Sequence, residues 1–203
     1  MLGRTVSQDV VIREWIIAEQ ASARFGHYLD KPELLSPTMH PEERLEILEK
    51  QRKGFPRRFP WHYVEWHEYS MQSKQELGEV RTCKGMAWLA LTNGDRRITT
   101  AAEIIAAQNG KLDPHVHVNA IISDIEHDKH LPNMIGFLLK SDAHPILLEG
   151  HARAVSYYMS SATTYPLTMF VATSVTNRLV EWDNGLNLRE IRDNFLHHGK
   201  EQL

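Results

Sequence analysis

The segment EGHAR, residues 149–153, combines a carboxylate, a glycine, an imidazole and a guanidinium. It follows the apolar run PILL at residues 145–148, which is typical of a short buried strand. Helix-compatible residues follow it, from about 152 to 160. The sequence therefore predicts that a strand gives way to a helix at Gly150.

A helix that begins at Gly150 or His151 would offer a site for an anion. The first N–H groups of a helix have no partner within it, and the helix dipole is positive at that end. Phosphate is the anion found most often at such sites, and glycine lets a ligand approach the backbone closely. Ala152 would contribute its amide, and Arg153 could make bidentate contacts to phosphate oxygens.

The two other side chains of this segment point to chemistry at the bound group. Glu149 could act as a base or hold a metal ion, and His151 could donate a hydrogen bond, hold a metal or shuttle a proton. A structural interpretation stays open beside this one. Many helices begin with glycine and a polar residue only to satisfy their terminal N–H groups.

The twelve histidines of the chain invite a metal hypothesis, centred on His115 and His117. In a strand, both imidazoles would share a face and could bind zinc or iron, with Asp113 or His151 as a third ligand. At a helix start they would point roughly 200° apart and could not chelate together. The Asp113-Pro114 pair, an N-cap followed by a first-turn proline, favours the helix.

Composition bounds the class of protein. The 203 residues, 42% of them hydrophobic, suffice for one sizeable core, and the net charge of -3 argues against a DNA-coating protein. A basic stretch at residues 51–59 is a local exception. Cys83 is the single cysteine, so no internal disulfide can form, and no apolar run approaches the ~20 residues of a membrane span. We expect a cytoplasmic protein without membrane contact.

We call the change from strand to helix at Gly150 the junction. Periodicity and turn signals predict the elements that precede it. Helices are expected over residues 7–25 and from Pro41 through residue 53, and strands over 61–71 and 85–95. A further helix is expected to start at Thr100, where the capping-box spacing begins.

The elements around the junction are predicted in the order helix, strand, turn, strand, helix, strand. The helix follows Asp113, and the strands cover residues 133–139, 145–148 and 165–173. An amphipathic helix is expected over 186–198. We therefore predict an α+β fold with a small mixed sheet, divided into a helical N-terminal extension, residues 1–55, and an α+β domain, residues 56–203.

The stretch from about residue 115 to 172 resembles the ParB/sulfiredoxin superfamily. In that superfamily a helix precedes a strand, a hairpin leads to a second strand, and a glycine-basic motif opens a helix before another strand. The motif reads Gly-Cys-His-Arg in sulfiredoxins, Gly-Glu-Arg-Arg in chromosome-partitioning ParB proteins, and a Gly-His-His-Arg-like form in free-serine kinases. Here it reads Gly150-His151-Ala152-Arg153.

The resemblance implies roles for the motif. Gly150, His151 and Arg153 would bind nucleotide phosphates. The family's other nucleotide-binding residues lie upstream, where the turn TNGDRR offers the candidates Asn93, Asp95 and Arg96.

The sequence departs from the family pattern in several places. His151 stands where sulfiredoxins carry their catalytic cysteine, which argues against sulfinic acid repair. Ala152 replaces a basic residue of ParB. About 30 residues follow the last predicted strand, too few for the helix-turn-helix domain of ParB.

The function implied is that of a nucleotide-binding enzyme, closest in motif to the free amino-acid kinases of this superfamily. It would transfer a phosphoryl group from ATP, or another nucleoside triphosphate, to a small hydroxyl-bearing molecule, with Mg²⁺ at Glu149. One alternative is a non-catalytic ParB-like regulator that binds a nucleotide or DNA. Another is a metal enzyme built on His115, His117 and His151. We do not expect nucleic acid as a partner of the enzyme, and a homodimer stays open.

Overall fold

The computed structural model describes residues 2–21, 26–52, 59–84, 86–108 and 117–185. Within these ranges the chain forms an α+β fold around a five-stranded mixed sheet, which confirms the predicted fold class. The strands are β1 (Leu2–Val6), β2 (Glu65–Met71), β3 (Met134–Phe137), β4 (Ile146–Glu149) and β5 (Leu167–Thr173). The α-helices are α1 (Gln8–Gln20), α2 (Gly26–Leu29), α3 (Pro41–Arg52), α4 (Lys74–Glu79), α5 (Met86–Leu91), α6 (Ile98–Ala107), α7 (Val118–Glu126), α8 (His151–Met159) and α9 (Arg178–Gly185).

The sheet has the strand order β1-β2-β5-β3-β4. Neighbouring strands are antiparallel, except that β3 and β5 run parallel. Successive side chains of a strand point to opposite faces, so one face receives Trp66 and Phe170 while the other receives Tyr69 and Met169.

Helices cover both faces of this sheet. On the first face, Ile12 and Trp15 of α1 and Leu48 of α3 join Phe137 and other strand residues in one buried cluster, which we call the first-face cluster. On the second face, helices α4, α6, α7 and α8 contribute to a separate cluster with the opposite side chains of the strands. Burial on both faces explains why β3 and β4 are short continuous apolar runs rather than alternating ones.

Arg44 of α3 links this helix to α1 and to residues between them. Its side chain is fully buried and forms an ion pair with Asp9 of α1. The guanidinium also donates to the carbonyl oxygens of Leu34, Ser36 and Met39, at 2.6, 2.7 and 3.2 Å. These partners satisfy a buried charge that would otherwise be costly.

Several predicted elements are confirmed, and one is wrong. Helices α1, α3 and α8 and strands β3, β4 and β5 lie where they were expected. Residues 86–91, within the predicted strand 85–95, form helix α5 instead. Met, Ala and Leu favour helix, and a six-residue apolar run cannot separate strand from helix by its periodicity.

Other boundaries differ from the predicted ones. Residues Trp61–Tyr63 form a 3₁₀ turn after Pro60, so β2 begins only at Glu65. Helix α6 begins at Ile98 rather than at Thr100. The predicted domain boundary after residue 55 and the predicted helix over 186–198 lie outside the described residues.

Across the described ranges, no helix combines the length and the apolar character that a membrane span requires.

We expect Arg44→Ala to lower the free energy of unfolding by about 3–5 kcal/mol, because it removes a fully buried side chain and leaves three carbonyl groups without this donor, while Asp9 keeps its ion pair with Arg13. Urea denaturation measures this loss. Arg4→Ala is the matched control, since Arg4 also pairs with a carboxylate, that of Glu68, but with a side chain that is 78% exposed. Similar losses in the two variants would contradict the role assigned to Arg44.

Candidate functional site

The predicted change from strand to helix at Gly150 is present in the structure. Strand β4 ends at Glu149, and α8 begins at His151. Gly150 is the N-cap of α8 and has a left-handed backbone at φ +91°. Residues other than glycine adopt this conformation only at a cost in free energy. No side-chain cap closes the start of α8, whereas Ser7 caps α1. The first turn of α8 therefore lacks the usual N-cap acceptor for its N–H groups.

Arg153 folds back over Gly150. A Cβ atom at Gly150 would lie 3.0 Å from Nη2 and 3.2 Å from Nε of Arg153. Nη1 donates to the Pro132 carbonyl oxygen at 3.1 Å, and Nη2 donates to Oε1 of Glu149 at 3.4 Å. The guanidinium is thus bound by its own chain, with a side chain only 8% exposed, and Glu149 balances its charge.

The charge of Arg153 also acts further along α8. Burial raises the pKa of the Tyr157 phenol, and the Arg153 guanidinium opposes this rise. Tyr157 lies one turn beyond Arg153 on the same helix. The positive charge of Arg153 therefore affects the Tyr157 phenol one turn further along α8.

Cys83 and Trp88, both outside α8, contact the His151 side chain. Its Nε2 accepts a hydrogen bond from the Cys83 backbone N–H at 3.2 Å. Its ring stacks on Trp88 of α5, with ring centroids 5.0 Å apart. Because a backbone N–H can only donate, Nε2 carries no proton, and the neutral imidazole bears its proton on Nδ1.

Residues 81–84, which we call the edge segment, run beside β4. Arg81 N–H donates to the Pro145 carbonyl at 2.9 Å, and Leu147 N–H donates to the Arg81 carbonyl at 2.8 Å. This bridge is parallel to β4. The edge segment therefore runs towards the carboxyl end of β4, and Cys83 contacts His151 at the start of α8.

A group of three charges, of which Arg96 and Asp183 are buried, adjoins the edge segment. Arg96 donates from Nε to the Thr82 carbonyl at 2.7 Å, and its Nη2 lies 3.4 Å from Oδ1 of Asp183. Lys84 Nζ lies 3.1 Å from Oδ2 of the same carboxylate. The Thr82 hydroxyl is fully buried and has no hydrogen-bond partner in the described part of the chain.

The structure separates the three candidates of the TNGDRR turn. Asn93 is exposed, at φ +47°. The Asp95 carboxylate is occupied at the start of α6, where it accepts from the Arg97 N–H at 2.9 Å and the Thr100 hydroxyl at 2.6 Å. Arg96 alone is tied to the edge segment, through Thr82.

The histidine candidates do not assemble in the described residues. His117 is the exposed N-cap of α7, while His115 and Asp113 lie outside the described ranges. Among the residues that the structure describes, no group of three or more His, Cys, Asp or Glu side chains could hold a metal ion.

Sequence reasoning missed five residues near the junction. They are Thr82, Cys83, Lys84, Trp88 and Asp183. Four of them lie in or just before residues 85–95, whose assignment as a strand placed Trp88 in the wrong element. The bridge between the edge segment and β4 joins residues more than 60 positions apart, so no local pattern indicates it.

Comparison with known proteins finds no match to the chain among family models, curated proteins or solved structures. Membership of the ParB/sulfiredoxin superfamily therefore stays a prediction, carried by the motif at residues 150–153.

Gly150→Ala should cost more stability than Gly94→Ala. Both glycines have left-handed backbones, at φ +91° and +85°, so each alanine brings strain of about 1–2 kcal/mol. At Gly94 an added Cβ meets nothing within 4 Å, but at Gly150 it meets Arg153 and also Met134 Cγ at 3.0 Å. We expect about 1–3 kcal/mol of additional loss at Gly150, measured by urea denaturation. Equal losses of unfolding free energy in the two variants would contradict the close contacts of position 150 with Arg153 and Met134.

Proposed function

We propose that this protein binds ATP with Mg²⁺ at the β4–α8 junction and transfers a phosphoryl group to a small hydroxyl-bearing molecule. One observation carries the proposal. Helix α8 starts at a left-handed glycine without a side-chain cap, with an arginine in its first turn. N–H groups at such a helix start favour an anion, and phosphate is the anion they most often bind.

Phosphate binding at the junction would exchange one ion pair for another. The 3.4 Å contact between Arg153 Nη2 and Glu149 Oε1 is long for a charge-assisted hydrogen bond, which is usually 2.7–2.9 Å. A phosphate oxygen can therefore replace Glu149 on the guanidinium. The amides of His151 and Ala152 would then donate to the same phosphate.

The residues present fit a magnesium ion brought in by the nucleotide. Mg²⁺ in nucleotide sites is held by one or two carboxylates together with phosphate oxygens and water. Glu149 is the carboxylate at the junction, and its side chain is 21% exposed. When bound, the ion would neutralise charge on the phosphates.

Once released from Arg153, Glu149 could serve as the base instead of holding the ion, which phosphate oxygens and water would then bind. Its carboxylate would take the proton of the acceptor hydroxyl, whose oxygen would form a bond to the γ-phosphorus. The bond between that phosphorus and the bridging oxygen would break, its electron pair leaving on ADP. His151 would donate from Nδ1 to the transferred group, since Cys83 occupies Nε2. Most of the rate would come from positioning and charge neutralisation.

Arg153→Ala should weaken ATP-Mg binding by about tenfold or more, because it removes a bidentate donor from the phosphate site. Calorimetric titration measures the affinity, and thermal melting shows whether the variant is folded. Arg97→Ala is the control, since Arg97 is an exposed arginine outside the junction. Equal affinities for wild type and a folded Arg153→Ala variant would remove the site.

Glu149→Gln should abolish transfer and preserve ATP-Mg affinity, because the amide keeps the shape of the side chain but cannot take a proton. ADP formation, followed across a panel of hydroxyl-bearing small molecules, gives the turnover. Retained turnover would exclude Glu149 as the base. Loss of the Mg²⁺ dependence of binding would instead make Glu149 a magnesium ligand.

A further inference from the structure

We infer that Lys84 and Arg96 form a second oxyanion site, for a phosphate group of the nucleotide, and that Asp183 occupies it as an internal competitor. The inference rests on the proposed function, since it concerns the same ligand. It assigns two cations and one carboxylate that the junction itself does not use.

Two cations share one carboxylate in this group. Lys84 and Arg96 bring two positive charges, and Asp183 brings one negative charge. The side chains of Arg96 and Asp183 are only 11% and 7% exposed, so water screens their charges poorly, while that of Lys84 is 30% exposed. A phosphate carries more negative charge than a carboxylate and would satisfy the two cations better.

Arg96 is held in place as a donor. Its backbone carbonyl accepts from the Thr82 N–H at 2.6 Å, and its Nε donates back to the Thr82 carbonyl at 2.7 Å. Nη2 faces Asp183, while Nη1 makes no hydrogen bond to any described residue. The side chain is 11% exposed, so the guanidinium is held beside the carboxylate with little contact to water.

The edge segment connects this second site to the junction. Thr82 binds Arg96, Cys83 binds the His151 ring, and Lys84 binds Asp183. Three consecutive residues therefore connect the second site with the junction. Two phosphate groups of one nucleotide could lie along them, one at α8 and one at Lys84 and Arg96.

The Asp183 carboxylate could leave its cations without undocking α9, with Lys84 Nζ still donating to the Asp183 backbone carbonyl at 2.9 Å. It lies in the last turn of the helix, which ends at Gly185. Upstream, Trp182 is buried and packs edge-on against Phe59 and Phe137, with ring centroids 5.2 and 5.5 Å apart. Leu179 is buried in the same first-face cluster. Only the end of the helix would need to rearrange for a phosphate to replace the carboxylate.

Asp183→Asn tests the competition directly. The amide keeps the size of the side chain but removes the competing charge, so ATP-Mg should bind about tenfold more tightly than to wild type, by calorimetry at fixed ionic strength. Asp142→Asn is the matched control, because Asp142 pairs with Arg81 of the same edge segment and should leave the affinity unchanged. Adding Lys84→Gln to Asp183→Asn should cancel the gain.

Hydrogen exchange of the wild-type protein provides a second readout. ATP-Mg should speed exchange in the last turn of α9, because the phosphate displaces Asp183, while exchange around Trp182 stays slow. Equal or weaker binding by Asp183→Asn, or slower exchange in that turn, would overturn the competition. Should Asp183→Asn fail to fold, the exchange result on the wild type decides alone. Absence of ATP binding by wild type and variant alike would remove the proposed function itself.

Discussion

The conformation of Gly150 is the constraint on which the site depends. A left-handed residue between β4 and α8 turns the chain sharply, and α8 therefore starts at the end of the sheet without a side-chain cap. The missing Cβ leaves room for the Arg153 guanidinium, which bridges Glu149 and the loop carbonyl of Pro132. Any larger residue at position 150 would strain the backbone and would also displace the Arg153 guanidinium.

Each cation near the junction is covered by a carboxylate of the same chain. Glu149 faces Arg153, and Asp183 faces both Lys84 and Arg96. Buried charges require such partners, so the arrangement is stable as it stands. It also defines what binding would involve, namely the exchange of carboxylates for phosphates at fixed cations. One exchange would free a base, and the other would loosen the end of α9.

The sequence predicted the local part of this site and missed the part made by distant residues. PILL followed by EGHAR specifies a strand, a turn and a helix through neighbouring residues, and the structure has all three. The edge segment lies beside β4 through backbone bonds that no side-chain pattern encodes. The run MAWLAL fits either secondary structure alone, and its helical state brings Trp88 against His151. The inward fold of Arg153 depends on Pro132, 21 residues upstream.

The central claim is that the first amides of α8 receive a phosphate. Backbone NMR of the wild-type protein during a titration with ATP-Mg tests it most directly, because each amide reports its own hydrogen bond. The account predicts saturable downfield shifts of the amide protons of His151 and Ala152. Saturable shifts that leave these amides unmoved and appear only elsewhere would contradict it.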